Sequence, residues 1–172
     1  MRPNSGFMAL LFWVQTESMK YLVGMGNYSM SDDGIGLRIV EHIIDQGLNK
    51  KLQDSEVHDI ANDTLKLLSF FNENTETIMI VDCVRMGKAP GHYQVFSPHD
   101  VSTKKDLAGF STHEGDLLKI LDMAKNLGYA IPPIRIFGIE PASLILSMEL
   151  SSILQSNFEQ YIRAVLSEFQ PV

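Results

Sequence analysis

A chain of 172 residues, 45% of them hydrophobic and 20% charged, is long enough to bury one substantial core without disulfides or a structural metal, and it fits one ordinary domain. Its single cysteine, Cys83, excludes an intrachain disulfide and a zinc site built on paired thiolates, which points to a reducing, cytoplasmic setting. The net charge of −7, with basic residues scattered along the chain, repels a phosphate backbone and argues against nucleic acid as a partner.

The chain opens with Arg2 and an apolar run from Phe7 to Val14. That run is too short to span a bilayer, and no small-x-small cleavage site follows it. Residues 1–18 therefore read as an extension or added segment, and residues 19–172 as a single α/β domain. Tyr21–Met25 is short, apolar and ended by glycine, as a first buried strand should be. Asp33–Gln46 then places Ile35, Leu37, Ile39, Val40, Ile43 and Ile44 at mostly helical spacing, with Gly47 as a stop. Glu56–Ile60 reads as a second strand and Thr64–Phe71 as a helical run. Thr77–Val84 is a continuous apolar strand of the kind covered by helices on both faces. His92–Phe96 alternates and suits an exposed, antiparallel edge strand. Asp100–Phe110 reads as a polar mobile loop, followed by a helix from Thr112 to Gly128, a last strand Ile134–Ile139 and a long amphipathic helix Ser147–Phe169. Strands alternating with helices define a three-layer α/β sandwich with a mostly parallel twisted sheet flanked by helices on both faces.

In such a sheet, ligands bind at the carboxyl ends of the strands, near the switch point between the first and third. Two acids stand there: Asp33, in the GMGNYSMSDDGIG stretch after the first strand, and Asp82, which ends the apolar run IMIVD. His113 opens the later helix, where the helix field favours the neutral, metal-binding imidazole. Two carboxylates and an imidazole are the raw material of a divalent metal site. Each residue also has a plainer reading. Asp32 suits a helix N-cap, Asp82 a turn after a strand, and His113 an ordinary surface position. GMGN invites a phosphate, but the third glycine of a dinucleotide fingerprint is missing and carboxylates stand where a pyrophosphate needs donors. Cys83 reads as core, and there is no GxSxG elbow.

Four segments in order, VGMGNYSMSDDGIGLRIVEHI at Val23–Ile44, IMIVDCVRMGKAPGHYQVFSP at Ile78–Pro98, STHEGDLLKILDMA at Ser111–Ala124 and IRIFGIEP at Ile134–Pro141, resemble the nickel-iron hydrogenase maturation endopeptidases. The resemblance covers nearly all of the chain after Met19. It implies an enzyme that removes a short C-terminal extension from a nickel-iron hydrogenase large-subunit precursor once nickel has been inserted. It implies Asp33, Asp82 and His113 as the residues that read the nickel, with Asp33 and Asp82 as catalytic candidates, and nickel brought by the substrate rather than kept by a monomeric enzyme. One departure concerns substrate choice: the DGGT-like loop that the family commonly carries after the second strand is replaced by Asp59-Ile60-Ala61-Asn62-Asp63-Thr64. Two other readings use the same residues. One is a nickel-sensing chaperone that holds the precursor without cutting it. The other, prompted by VGMGN before a helix, is a peptidyl-tRNA hydrolase, which the acidic surface disfavours.

Overall fold

The computed structural model describes residues 18–102 and 112–170, with the side chains at 101–102 and 112–115 left aside. The apolar run Phe7–Val14 and most of the expected Asp100–Phe110 loop lie outside these residues. Five strands, β1 (Met19–Met25), β2 (Ser55–Ala61), β3 (Thr75–Cys83), β4 (Tyr93–Phe96) and β5 (Ile134–Ile139), form one sheet in the order β2-β1-β3-β5-β4. All pairings are parallel except that of β4 with β5, so the alternating His92–Phe96 segment is the antiparallel edge its pattern suggested. The helices are α1 (Ile35–Asp45), α2 (Pro98–Ser102), α3 (Thr112–Asn126) and α4 (Ser152–Phe169). None is long and apolar enough, among the described residues, to cross a membrane.

Strand periodicity divides the core in two. Along β3, Met79, Val81 and Cys83 join Ile39, Ile43, Tyr161 and Val165 under α1 and α4. The intervening Ile78 and Ile80 join Leu67, Leu117, Ile120 and Ala124 under α3 and a 3₁₀ helix at Thr64–Phe70. Because a strand sends successive side chains to opposite faces, a strand covered on both sides must be apolar throughout, which is why β3 reads as an unbroken hydrophobic run.

Three boundaries differ from the periodicity of the sequence. A 3₁₀ helix at Ser31–Gly34 precedes α1, so Asp33 lies in the tight turn leading into the helix. Thr64–Phe70 winds as a 3₁₀ helix where a regular helical run was expected. The last helix begins at Ser152 rather than Ser147, because the backbone of residues 147–151 is engaged by the β1–α1 turn instead of by the next helical turn.

Candidate active site

The site is built where β1 turns into α1. Gly26 has φ +135°, and a Cβ there would lie 1.9 Å from the Asp33 carbonyl oxygen, so only glycine lets the chain fold back beneath Asp33. The turn then closes by backbone bonds: the Asn27 N–H donates to the Asp33 carbonyl at 3.3 Å and the Asp33 N–H to that of Met30 at 3.1 Å. Ser31 adopts a left-handed φ of 53°, a conformation that costs a β-carbon-bearing residue about 1 kcal/mol or more. Two hydrogen bonds hold it there, from its N–H to the Ser147 carbonyl at 2.7 Å and from its Oγ to the Glu149 carbonyl at 2.9 Å. The outcome is a half-buried Asp33 side chain on a backbone with little freedom.

Asp82 stands near the C-terminal end of β3, next to β1 in the sheet. It is buried, and its Oδ1 accepts the Cys83 N–H at 2.8 Å. Alternation puts it on the face shared by Ile78 and Ile80, the face that α3 covers. Cys83 points the other way into the α1–α4 core, as expected. Burial pushes its thiol up, and the negative charges of Asp82, Asp33, Asp32 and Glu140 push it further. A buried thiol kept protonated is a poor nucleophile. Cys83 is expected to resist iodoacetamide at neutral pH in the folded protein and to react after unfolding; rapid alkylation of the native chain would contradict this packing.

His113 falls in the first turn of α3, and its side chain lies outside the described residues. Because α3 leads through the turn at Gly128 to the start of β5, its first turn is directed toward the C-terminal edge where Asp33 and Asp82 stand. Among the described residues no group of three or more His, Cys, Asp or Glu side chains is arranged to hold a metal. The described side chains thus bring two of the three expected residues to one edge and leave the third untested.

Two acids have roles that the sequence reading missed. Asp32 is fully buried, and no side-chain bond caps the start of either helix beside it. Its carboxylate instead reaches the connection between β5 and α4, where Oδ2 accepts the N–H groups of Ala142 at 2.8 Å and Ser143 at 2.9 Å, and Oδ1 that of Ser151 at 2.7 Å. Glu140 does the same for the β3–β4 connection, its Oε2 accepting the N–H groups of Met86 at 2.6 Å and Lys88 at 3.0 Å. The only advance signal for Glu140 is its place, an acid before a proline at the end of a buried strand. Asp32→Asn would turn an NH₂ toward N–H donors inside the protein, and bonds to a charged acceptor are worth about 1.5–3 kcal/mol each. The variant is expected to lose about 2–4 kcal/mol in a denaturant melt. A loss of a few tenths would show that the carboxylate is not needed there.

The segment replacing the DGGT-like loop touches the same edge. The Gly26 N–H donates to the Ala61 carbonyl at 3.2 Å, and Asp59 Oδ1 accepts the Ala61 N–H at 2.7 Å. Ala61 itself takes a left-handed φ of 49°.

A parallel α/β sandwich with acids gathered at the switch point describes a class of ligand-binding and hydrolytic domains. Within it the chain belongs to the hydrogenase maturation protease family, which residues 37–168 match. Asp82 and His113 fall inside that match, and Asp33 lies just before it. The chain is 26% identical over 126 residues to the hydrogenase expression/formation protein HupD of Rhodobacter capsulatus, a stretch covering 72% of this chain and 57% of that protein. It therefore spans little more than half the length of that relative. In fold it is similar to the hydrogenase maturating endopeptidase HybD of E. coli, with 22% identity, TM-score 0.69, and coverage of 87% of this chain and 91% of that one. It is also similar to the [NiFe] hydrogenase maturation protease HybD of Thermococcus kodakarensis, with 22% identity, TM-score 0.71, and coverage of 88% and 99%.

Proposed function

We propose that this chain is the endopeptidase that removes the C-terminal extension of a nickel-iron hydrogenase large-subunit precursor after nickel insertion. Asp33, Asp82 and His113 read the nickel carried by that substrate. The observation that supports the reading is the placement of Asp33, in the turn after β1, and Asp82, near the end of the adjacent parallel strand β3, at the same edge of the sheet in a chain of the hydrogenase maturation protease family.

The chemistry of the donors agrees with it. Carboxylate oxygen and neutral imidazole suit a borderline divalent ion such as nickel, and three protein ligands leave positions open for the precursor's own groups. Hydrolysis needs a water polarised or deprotonated next to the scissile carbonyl and a proton for the departing amine. A carboxylate beside the bound nickel can accept the water proton and return it to the nitrogen, and nickel held in the precursor can draw charge from the carbonyl. Cleavage would then occur only where precursor and nickel arrive together, so metal loading is tested in the same act as cutting.

The experiment is to incubate the protein with nickel-loaded precursor and measure the mass of the large subunit. Loss of a C-terminal peptide is the expected result. A stable complex with an intact subunit would replace this reading with that of a chaperone which holds without cutting.

A further inference from the structure

The β5–α4 connection, residues 140–151, combines a fixed backbone with exposed apolar side chains. Its backbone is tied down along its length: Asp32 binds the amides of Ala142, Ser143 and Ser151, the Asp32 N–H donates to the Ser143 carbonyl at 3.2 Å, and the Ser147 N–H donates to the Ser29 carbonyl at 3.0 Å. Met30 and Ser147 form a parallel bridge, and Arg38 Nη2 donates to the Met148 carbonyl. Leu144 and Leu150 pack against the core, yet Ile145, Leu146 and Met148 on the same fixed backbone face solvent, 66%, 82% and 61% exposed. A loop that folded only for its own stability would turn these side chains inward. An apolar surface on a rigid backbone instead lowers the ordering cost of whatever covers it.

We propose that Ile145, Leu146 and Met148 form a docking ridge for an apolar stretch of the precursor polypeptide next to the bond to be cut, and that Asp32 is the positioning residue that holds the ridge in register with Asp33. The inference rests on the function proposed above. Asp32 and Asp33 are consecutive, so the residue that fixes the ridge is bonded to the residue that meets the substrate.

Charge and size select the occupant. No charged side chain interrupts Pro141–Met148, and the chain's net charge of −7 repels anionic lipid and nucleic acid alike. Three exposed apolar side chains cover well short of the ~800 Å² that each partner gives to a standard interface. That suits a short extended peptide rather than a second copy of the chain.

The test is the rate of C-terminal processing across a range of concentrations of nickel-loaded precursor. Leu146→Ser combined with Met148→Ser should raise KM at least tenfold with kcat little changed, and Leu146→Ile combined with Met148→Leu should return KM to the wild-type value. Leu127→Ser removes an equally exposed residue, 64% exposed, in the turn after α3 at the far end of the sheet, and should leave KM unchanged. Asp32→Asn should raise KM and speed hydrogen exchange at the amides of Ala142, Ser143 and Ser151. A folded double serine variant with wild-type KM, or with a loss confined to kcat, overturns the ridge. Unchanged exchange in Asp32→Asn overturns the positioning role. A wild-type protein that neither binds nor cuts the precursor overturns the function and this inference together, whereas a wild type that cuts beside an unaffected double variant removes the inference alone.

Discussion

Gly36→Ala is expected to leave little folded protein. An added Cβ would lie 2.1 Å from the Val81 carbonyl oxygen and 2.5 Å from that of Met25. These are backbone atoms of the two central strands, so neither can move aside as a flexible side chain would. Helix α1 would have to back away from β1 and β3 together, opening the core that Ile39, Val40 and Ile43 fill. The loss should exceed about 4 kcal/mol, beyond the ordinary range of single substitutions and comparable with the whole stability of a marginal domain. Gly87→Ala is the matching control. Gly87 has a positive φ of +69°, unlike the helical Gly36, but nothing lies within 4 Å of an added Cβ, so only a backbone cost of about 1 kcal/mol is expected. Denaturant melts of the two variants measure the difference. Similar stabilities would mean that α1 does not lie as close to the sheet as described.

The second large effect concerns activity. Asp33→Asn, Asp82→Asn and His113→Ala should each reduce processing of nickel-loaded precursor at least about a hundredfold, which corresponds to about 2.7 kcal/mol of lost transition-state stabilisation. Asp33→Asn should melt close to the wild type, since its half-buried side chain contributes less to the core than its backbone does to the turn. Asp82→Asn should be less stable because its carboxylate is buried and accepts the Cys83 N–H. Combining two of the substitutions should cost little more than one if the residues act as a unit. Full activity in a correctly folded His113→Ala would remove that histidine from the site.

The sequence reveals the sheet because the rules that shape it are local. β3 had to be continuously apolar to be covered on both faces, β4 had to alternate to sit at an edge, and acids that follow β1 and end β3 share one edge of the sheet once those strands are neighbours. What it could not reveal depends on contacts across long separations. Asp32 looks like a helix cap because a cap is the nearest use for an aspartate before a helix, whereas its partners lie 110 to 119 residues away. The same contacts explain the late start of α4, since helical periodicity from Ser147 onward carries no record of a backbone already bonded to Ser31 and Asp32. Glu140 was visible as a residue but not as the anchor of a loop for the same reason. The left-handed Ser31 carries no sequence signal either, because serine is not a residue that announces a positive φ.

The central claim is that the acids at this strand edge check for nickel before the chain cuts. The measurement that tests it most directly is the mass of the large subunit after equal incubation of nickel-loaded and nickel-free precursor with the wild-type protein. The loaded precursor should lose its C-terminal peptide while the nickel-free one stays intact, and adding nickel to the latter in the presence of its insertion machinery should restore cutting. Equal processing of both precursors would contradict metal checking and return Asp33 and His113 to structural roles.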